Sequence, residues 1–194
     1  MAIVYWDGKA GGIAHTYTCT IASTWAAADI AGVTINGKDV QITVATGETT
    51  TNEVAAALAA AINASNLTVN LAGAETRNVG GQQYPEFREV RATILANVVT
   101  ITHGQLGVPF TLTATATTAG SGTNTAAVSV TATGPHHFDN ADNWSGGAIP
   151  SSADTIVWNS GDVDLKYGLT HILTNTLACH YRRTTSYTGT IGLP

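Results

Sequence analysis

Ala31-Gly-Val-Thr-Ile-Asn-Gly-Lys-Asp-Val-Gln-Ile-Thr-Val44, followed by Thr50-Thr-Asn-Glu-Val-Ala-Ala-Ala-Leu-Ala-Ala-Ala-Ile62, decides the fold. The first piece reads as a hairpin turned at Asn36-Gly37, because both residues tolerate the positive φ that a two-residue type I′ turn needs. That turn sets Val33 opposite Val40 and Ala31 opposite Ile42, with Ile35 next to Lys38 at the tip. All the apolar residues then share one face, and a slip of one residue would scatter them. The second piece reads as a helix. Thr50 and Glu53 form a capping box at its start. Val54, Leu58 and Ile62 recur every fourth residue as a narrow apolar stripe, and alanine, the best helix former, fills the rest. Residues 63–66 end it.

The pattern extends to both sides. Ile3 to Trp6 reads as a short strand, residues 8–12 as a flexible break, and Tyr17 to Ile21 as the start of the next strand. Residues 67–71 are a candidate strand, and residues 73–87 a polar loop. In a second hairpin Val90, Ala92 and Ile94 alternate with polar residues, and a turn at Ala96-Asn97 pairs Ile94 with Val99 and Ala92 with Ile101. Gly107 to Ala116 alternates with period two, placing Phe110 and Leu112 inward. Val128 and Val130 mark a last strand. About seven strands and one helix make a β-sandwich or α+β module.

Gly134-Pro135 reads as a boundary. A turn-rich stretch, residues 136–150, follows. Short apolar pieces then recur at Ile156-Val157, Val163 with Leu165, Ile172-Leu173, Leu177 and Ile191. Brief strands between Gly, Asn and Asp turns fit the first rungs of a parallel β-solenoid, which needs further rungs or a partner to cover its open end. The expected fold is therefore mainly β with one helix, followed by the beginning of a parallel β-solenoid. The expected division is an arm at 1–18, a β-rich module at 19–134 and a solenoid-like segment at 135–194.

Composition excludes several function classes. Only 11% of the 194 residues are charged and the net charge is −5. With no basic run, phosphate-tracking nucleic-acid binding is disfavoured. Cys19 and Cys179 have neither disulfide-framework nor metal spacing and read as free thiols. The N-terminus lacks the basic and apolar regions of a signal peptide, and no window approaches a membrane span, so synthesis in the cytosol without membrane insertion is expected. Threonine, at about 32 residues, outnumbers charge on the faces expected to meet solvent. Such a surface suits sheets that meet other subunits.

Two ordered sets of residues carry a resemblance. The first is Val33 to Lys38, then Ala55 to Ala64, then Val98 to Thr102, then Gly107 to Thr113. It resembles a module of bacteriophage and prophage virion proteins, tail- and head-associated ones included. The second is Asn143-Trp-Ser-Gly-Gly-Ala-Ile-Pro150, Asp154 to Val157, Asp162 to Leu165, Tyr167-Gly168 and Thr188 to Pro194. In this order the two sets are similar to phage structural proteins in which the module precedes a β-solenoid. The segment Leu177 to Arg183 departs from the plain alternation expected there. The resemblance implies a non-enzymatic virion structural protein, capsid-decorating or tail-associated. Its partners would be its own copies, a trimer among the arrangements, and the major capsid or tail protein. It implies no cofactor.

Candidate chemistry is sparse. His136, His137, Asp139 and Asp142 have metal-ligand chemistry, but adjacent histidines diverge on an extended chain and the Asp/Asn run is turn-forming. His171, Cys179 and His180 lack a third ordered partner for a nucleophile. Asp154, Asp162 and Asp164 are the carboxylates a glycan hydrolase would need, yet sixty-odd residues of partial solenoid build no sugar groove. Trp6, Trp25, Trp144 and Trp158 suit core anchoring. They could also stack on sugars, and the alternative reading is a carbohydrate-binding adhesin or tail-fibre module with Trp144 and Trp158 as its aromatics. Sequons at Asn63, Asn66 and Asn143 carry no meaning without export. No catalytic, cofactor-binding or metal residue is assigned.

Overall fold

The structure, a computed structural model, describes residues 2–66, 85–152, 154–170 and 180–192. In chain order its elements are β1 (Ile3–Tyr5), β2 (Thr16–Ala22), β3 (Ile30–Ile35), β4 (Lys38–Thr43), α1 (Thr51–Asn66), α2 (Pro85–Arg88), β5 (Val90–Leu95), β6 (Val98–His103), β7 (Leu112–Thr117), β8 (Thr123–Val130), β9 (Thr155–Trp158) and β10 (His180–Arg183). The fold is mainly β, with one long helix and several sheets. The candidate strand at 67–71 lies outside the described residues.

The chain divides differently from the sequence expectation. Residues 14–131 form one unit, and residues 1–13 with 132–194 form the other. The expected N-terminal arm is thus not separate. Its strand β1 pairs in parallel with β9, Val4 beside Ile156, and Val4 and Trp6 enter the same core as Ile156 and Trp158.

The 14–131 unit holds two antiparallel sheets, ordered β5-β6-β2-β8 and β4-β3-β7. The first hairpin has the register its turn dictates: Val33 faces Val40, Ala31 faces Ile42 and Ile35 faces Lys38. Asn36 and Gly37 take φ values of 47° and 81°, as the turn requires. The second hairpin pairs Ile94 with Val99 and Ala92 with Ile101, with Ala96 at φ 52°. Val90 and Ala92 are buried, whereas Ile94, closer to the turn, overhangs the core and is half exposed.

Helix α1 packs against strands of both sheets. Its capping box is formed: the Thr50 hydroxyl accepts the Glu53 N–H, and the Glu53 carboxylate accepts the Thr50 N–H at 3.0 Å. The Thr50 hydroxyl also donates to the Glu53 carboxylate at 2.7 Å, and this bond, with that from the Thr50 N–H, holds the Glu53 carboxyl below its usual pKa. Val54, Leu58 and Ile62 are buried, and Ala55, Ala59 and Ala61 join them. The helix runs through Asn66, the last of the residues expected to end it, and Asn63 ties this end to β5. Its amide donates to the Ala92 carbonyl at 2.9 Å and accepts the Ala92 N–H at 3.0 Å. Asn63 thereby imitates a neighbouring strand and covers the outer edge of β5, which would otherwise be an open pairing template.

The period-two stretch at 107–116 is only half strand. β7 begins at Leu112, while Phe110, buried as expected, sits in irregular backbone ahead of it. Val128 and Val130 do lie on the last strand of this unit, but both stand in solvent.

The other unit is built by parallel pairing, in the order β1-β9-β10. Thr155 lies beside His180, Gly161 beside Tyr187 and Leu165 beside Ile191, each pair 25 or 26 residues apart and parallel. His137 also bridges Tyr167 in parallel. The segment from Leu177 to Arg183, where the expected pattern broke down, contains β10 in this register.

Candidate functional site

Asn143 organises the second unit and is fully buried. Its amide donates to the carbonyls of Gly134 at 2.8 Å and His137 at 2.7 Å, and its side-chain oxygen accepts the Ala10 N–H at 2.8 Å. Its own carbonyl accepts the N–H groups of Asp7 and Gly8. One side chain thus ties the N-terminal segment to the 134–138 turn. The residues after it complete the device. Trp144 enters the core edge-on to Trp6 and Phe138, with centroids 4.9 and 4.8 Å away, and donates its indole N–H to the Phe138 carbonyl. Ser145 covers the outer edge of β1: its hydroxyl accepts the Tyr5 N–H, and its N–H donates to the Tyr5 carbonyl. Gly146 and Gly147 follow at φ 95° and 66°, where a side chain would be strained. Asn143-Trp-Ser-Gly-Gly is therefore a structural clasp.

The tryptophans are anchors. Trp6, Trp25, Trp144 and Trp158 are each at most 3% exposed. Sugar stacking needs an open aromatic face, so none of the four forms a surface platform. The Val163 carbonyl accepts both the Trp6 indole N–H and the Tyr187 hydroxyl. Arg183 lies over the Tyr187 ring and donates to the Tyr187 and Gly189 carbonyls.

The carboxylates weighed for hydrolysis close loops instead. Asp154 accepts from the Ser151 N–H and hydroxyl and from the Ala2 N–H, bonds that hold its carboxyl below the usual range. Asp164 accepts the Thr190 N–H and pairs with Lys166 at 3.1 Å, with the same effect on its pKa. Asp162 is exposed.

The histidine–aspartate group does not converge. The His136 Nδ1 bonds the Asp164 carbonyl, while His137 packs on Tyr167 and lies 3.5 Å from Asp139. Asp142 is exposed, beside a 3-10 turn capped by Asn140. Among the described residues no three His, Cys, Asp or Glu side chains gather around one point. His171 and Cys179 lie outside the described residues, as does the side chain of His180. Cys19 is fully buried, and burial pushes its thiol up to about 12.

Three features escaped the sequence reading. Asp29, nearly fully buried, accepts the Ala26 and Ala119 N–H groups and so ties a turn to the far end of β7. His15 and His103 form a buried pair around Phe110. The third is a threonine face. Because Cys19 and Ile21 point into the core, Thr16, Thr18 and Thr20 point outward from β2. They stand opposite Thr102, Thr100 and Val98 of β6, and Thr93 of β5 continues the middle row. Thr125 of β8 lies opposite Thr20 on the other side. Arg91 is the one charged residue this outward register contains. Long-range strand pairing assembles this face from four separate segments, so only the threonine count hinted at it.

No protein-family model and no curated protein matches this chain. Among the described residues, no helix is long and apolar enough to cross a membrane. The geometry offers stapled loops, buried aromatics and a hydroxyl-rich sheet face that carries one charge, Arg91.

Proposed function

We propose that this chain is a non-enzymatic bacteriophage virion structural protein, decorating the capsid or associated with the tail, which acts through subunit assembly. In this reading the unit of residues 1–13 and 132–194 forms the opening turns of a parallel β-solenoid. The observation that carries it is the parallel pairing 25 or 26 residues apart, from β9 to β10 and again at Gly161–Tyr187 and Leu165–Ile191, beside a spacing of 30 at His137–Tyr167. Successive segments stacked in parallel at similar spacing are what the start of a solenoid coil would give. It is also the arrangement that the resemblance to phage proteins implies.

The threonine face supplies an assembly surface. Strands about 4.8 Å apart, rising about 3.4 Å per residue, give it a footprint on the order of 400 Å². That is about half of the roughly 800 Å² each partner contributes to a stable pair. One such contact is weak, and a lattice or oligomer that repeats it is strong. Partners are thus the protein's own copies and a major capsid or tail protein.

Mass spectrometry of purified particles from cells carrying the gene tests this reading. The chain is expected among the structural proteins of intact virions, in many copies. Its absence from them would sink the proposal. A second test concerns the face. Thr93 and Thr125 are exposed. Thr93→Glu with Thr125→Glu is expected to shift stability by less than about 1 kcal/mol. Sedimentation velocity is expected to show weak self-association of the parent protein and none of the doubly substituted one. Unchanged association would remove the face from the account.

A further inference from the structure

We propose that His15 is an acid-operated latch that holds the Phe110–Thr111 segment, and through it the tip of the β3–β4 hairpin, in the closed arrangement. His15 precedes β2 and is 7% exposed. Its Nδ1 lies 3.0 Å from the Phe110 backbone nitrogen, whose N–H it accepts. The next residue, Thr111, donates its N–H and hydroxyl to the Asn36 side-chain oxygen, and its carbonyl accepts the Asn36 N–H. One imidazole lone pair therefore stands at the head of a chain of bonds ending at the hairpin turn.

The lone pair is available only while Nδ1 carries no proton. A backbone amide can donate but never accept, so the neutral ring with its proton on Nε2 is the form that fits. Protonating Nδ1 sets two N–H groups against each other. It also places a charge on a buried ring packed beside Tyr17 and Phe110, with centroids 5.0 and 5.1 Å from its own, where loss of hydration disfavours the charged form. The ring must then turn away, and Phe110 loses its anchor.

His103 behaves differently. Its Nδ1 lies 3.0 Å from the Gln105 nitrogen and 3.2 Å from the Gln105 carbonyl, and its Nε2 lies 3.6 Å from the Glu89 carboxylate. His103 thus has two acceptors within reach beside the Gln105 N–H, the Gln105 carbonyl and the Glu89 carboxylate, whereas the His15 Nδ1 bonds the Phe110 N–H, so the latch is placed at His15. The titratable groups around the pair are His103 from β6, Glu89 ahead of β5 and Tyr17 from β2. The 107–111 segment contributes none.

Burial, reinforced by the neighbouring His103, lowers the His15 pKa below the ordinary histidine value. The unfolded chain then binds more protons than the folded one in the window below that value. Stability from His15 is full above about pH 6.5 and is lost as pH falls toward the depressed folded pKa.

Amide hydrogen exchange on the full chain, corrected for intrinsic rates, tests the latch. Between pH 7 and pH 5 the protection of Phe110 and Thr111 is expected to fall at least roughly tenfold more than that of Val99 and Ile101. His15→Gln supplies an acceptor oxygen that does not titrate, and should keep protection alike at both pH values. In the parent protein the NMR titration of the His15 ring should share its midpoint with the loss of Phe110 protection, a readout that needs no variant. PH-independent protection of Phe110 in the parent protein, or separate midpoints, would overturn the proposal. The same fall in His15→Gln as in the parent would also overturn it.

Discussion

Replacing Asn143 by alanine is expected to unfold the unit of residues 1–13 and 132–194 while leaving the 14–131 unit folded. The substitution strands one buried N–H, Ala10, and leaves the buried Gly134 and His137 carbonyls only the backbone N–H groups of His137 and Asn140, at 3.2 and 3.4 Å. A buried polar group left without a partner costs about 1–3 kcal/mol and each further lost hydrogen bond about 1 kcal/mol, so the set, acting as one network, costs about 3–5 kcal/mol. Asn143→Asp should be no milder. It keeps an acceptor for Ala10 but sets a carboxylate oxygen against two carbonyls. Three of the four tryptophans lie in this unit, so urea unfolding followed by indole fluorescence reads it directly. The expected transition moves to much lower urea, while amide protection in α1 is retained. A loss below about 1 kcal/mol would show that the clasp is not what holds the N-terminal segment.

The second large effect lies in the other unit. Leu58 is fully buried at the middle of the α1 stripe, in a core that both sheets share. Leu58→Ala is expected to cost about 2–5 kcal/mol, the transfer of its side chain plus the cavity it leaves. Ala60, on the exposed side of the same helix, makes the control: Ala60→Ser should change stability by less than about 1 kcal/mol. Far-ultraviolet circular dichroism during chemical denaturation distinguishes the two. Equal effects would mean that the helix does not present the stripe to the core.

These substitutions also mark where the sequence was legible. Leu58 could be read because its signal is local: a four-residue period, a capping box and a run of helix formers agree. The two hairpins were legible for the same reason, since turn residues and alternation select one register. Asn143 was hidden. As part of a turn-rich run it reads as loop, and its hydrogen-bond partners come from two segments more than a hundred residues apart in the chain. β1 was misplaced in an independent arm because three residues carry no periodicity. Its partner is set by how Trp6 meets Trp144 and Trp158. Asn36 was only half read. Its turn was evident, but its bonds to Thr111 belong to tertiary packing. Reading the tryptophans as core anchors agrees with their burial, because few exposed surfaces hold so large an apolar ring without a ligand.

The same contrast governs function. Chemistry built from local motifs tends to leave a spacing signature, and Asp154, Asp164, His136 and His137, the residues with the nearest approach to one, turn out to close loops. An assembly surface leaves almost no local signature. The threonine face proposed as one arises when β2, β5, β6 and β8 align and their alternating threonines fall on one side.

Incorporation into particles tests that claim most directly. Cells that produce virions would supply either the parent chain or the Thr93→Glu, Thr125→Glu chain, with copy number per purified particle measured by quantitative mass spectrometry. The parent chain is expected in many copies, and the charged variant, folded to the same stability, is expected to be lost from the particle at least about tenfold, since every repeat of a weak contact is weakened together. Equal incorporation of both chains would contradict assembly through the threonine face, and absence of the parent chain would contradict the virion role itself.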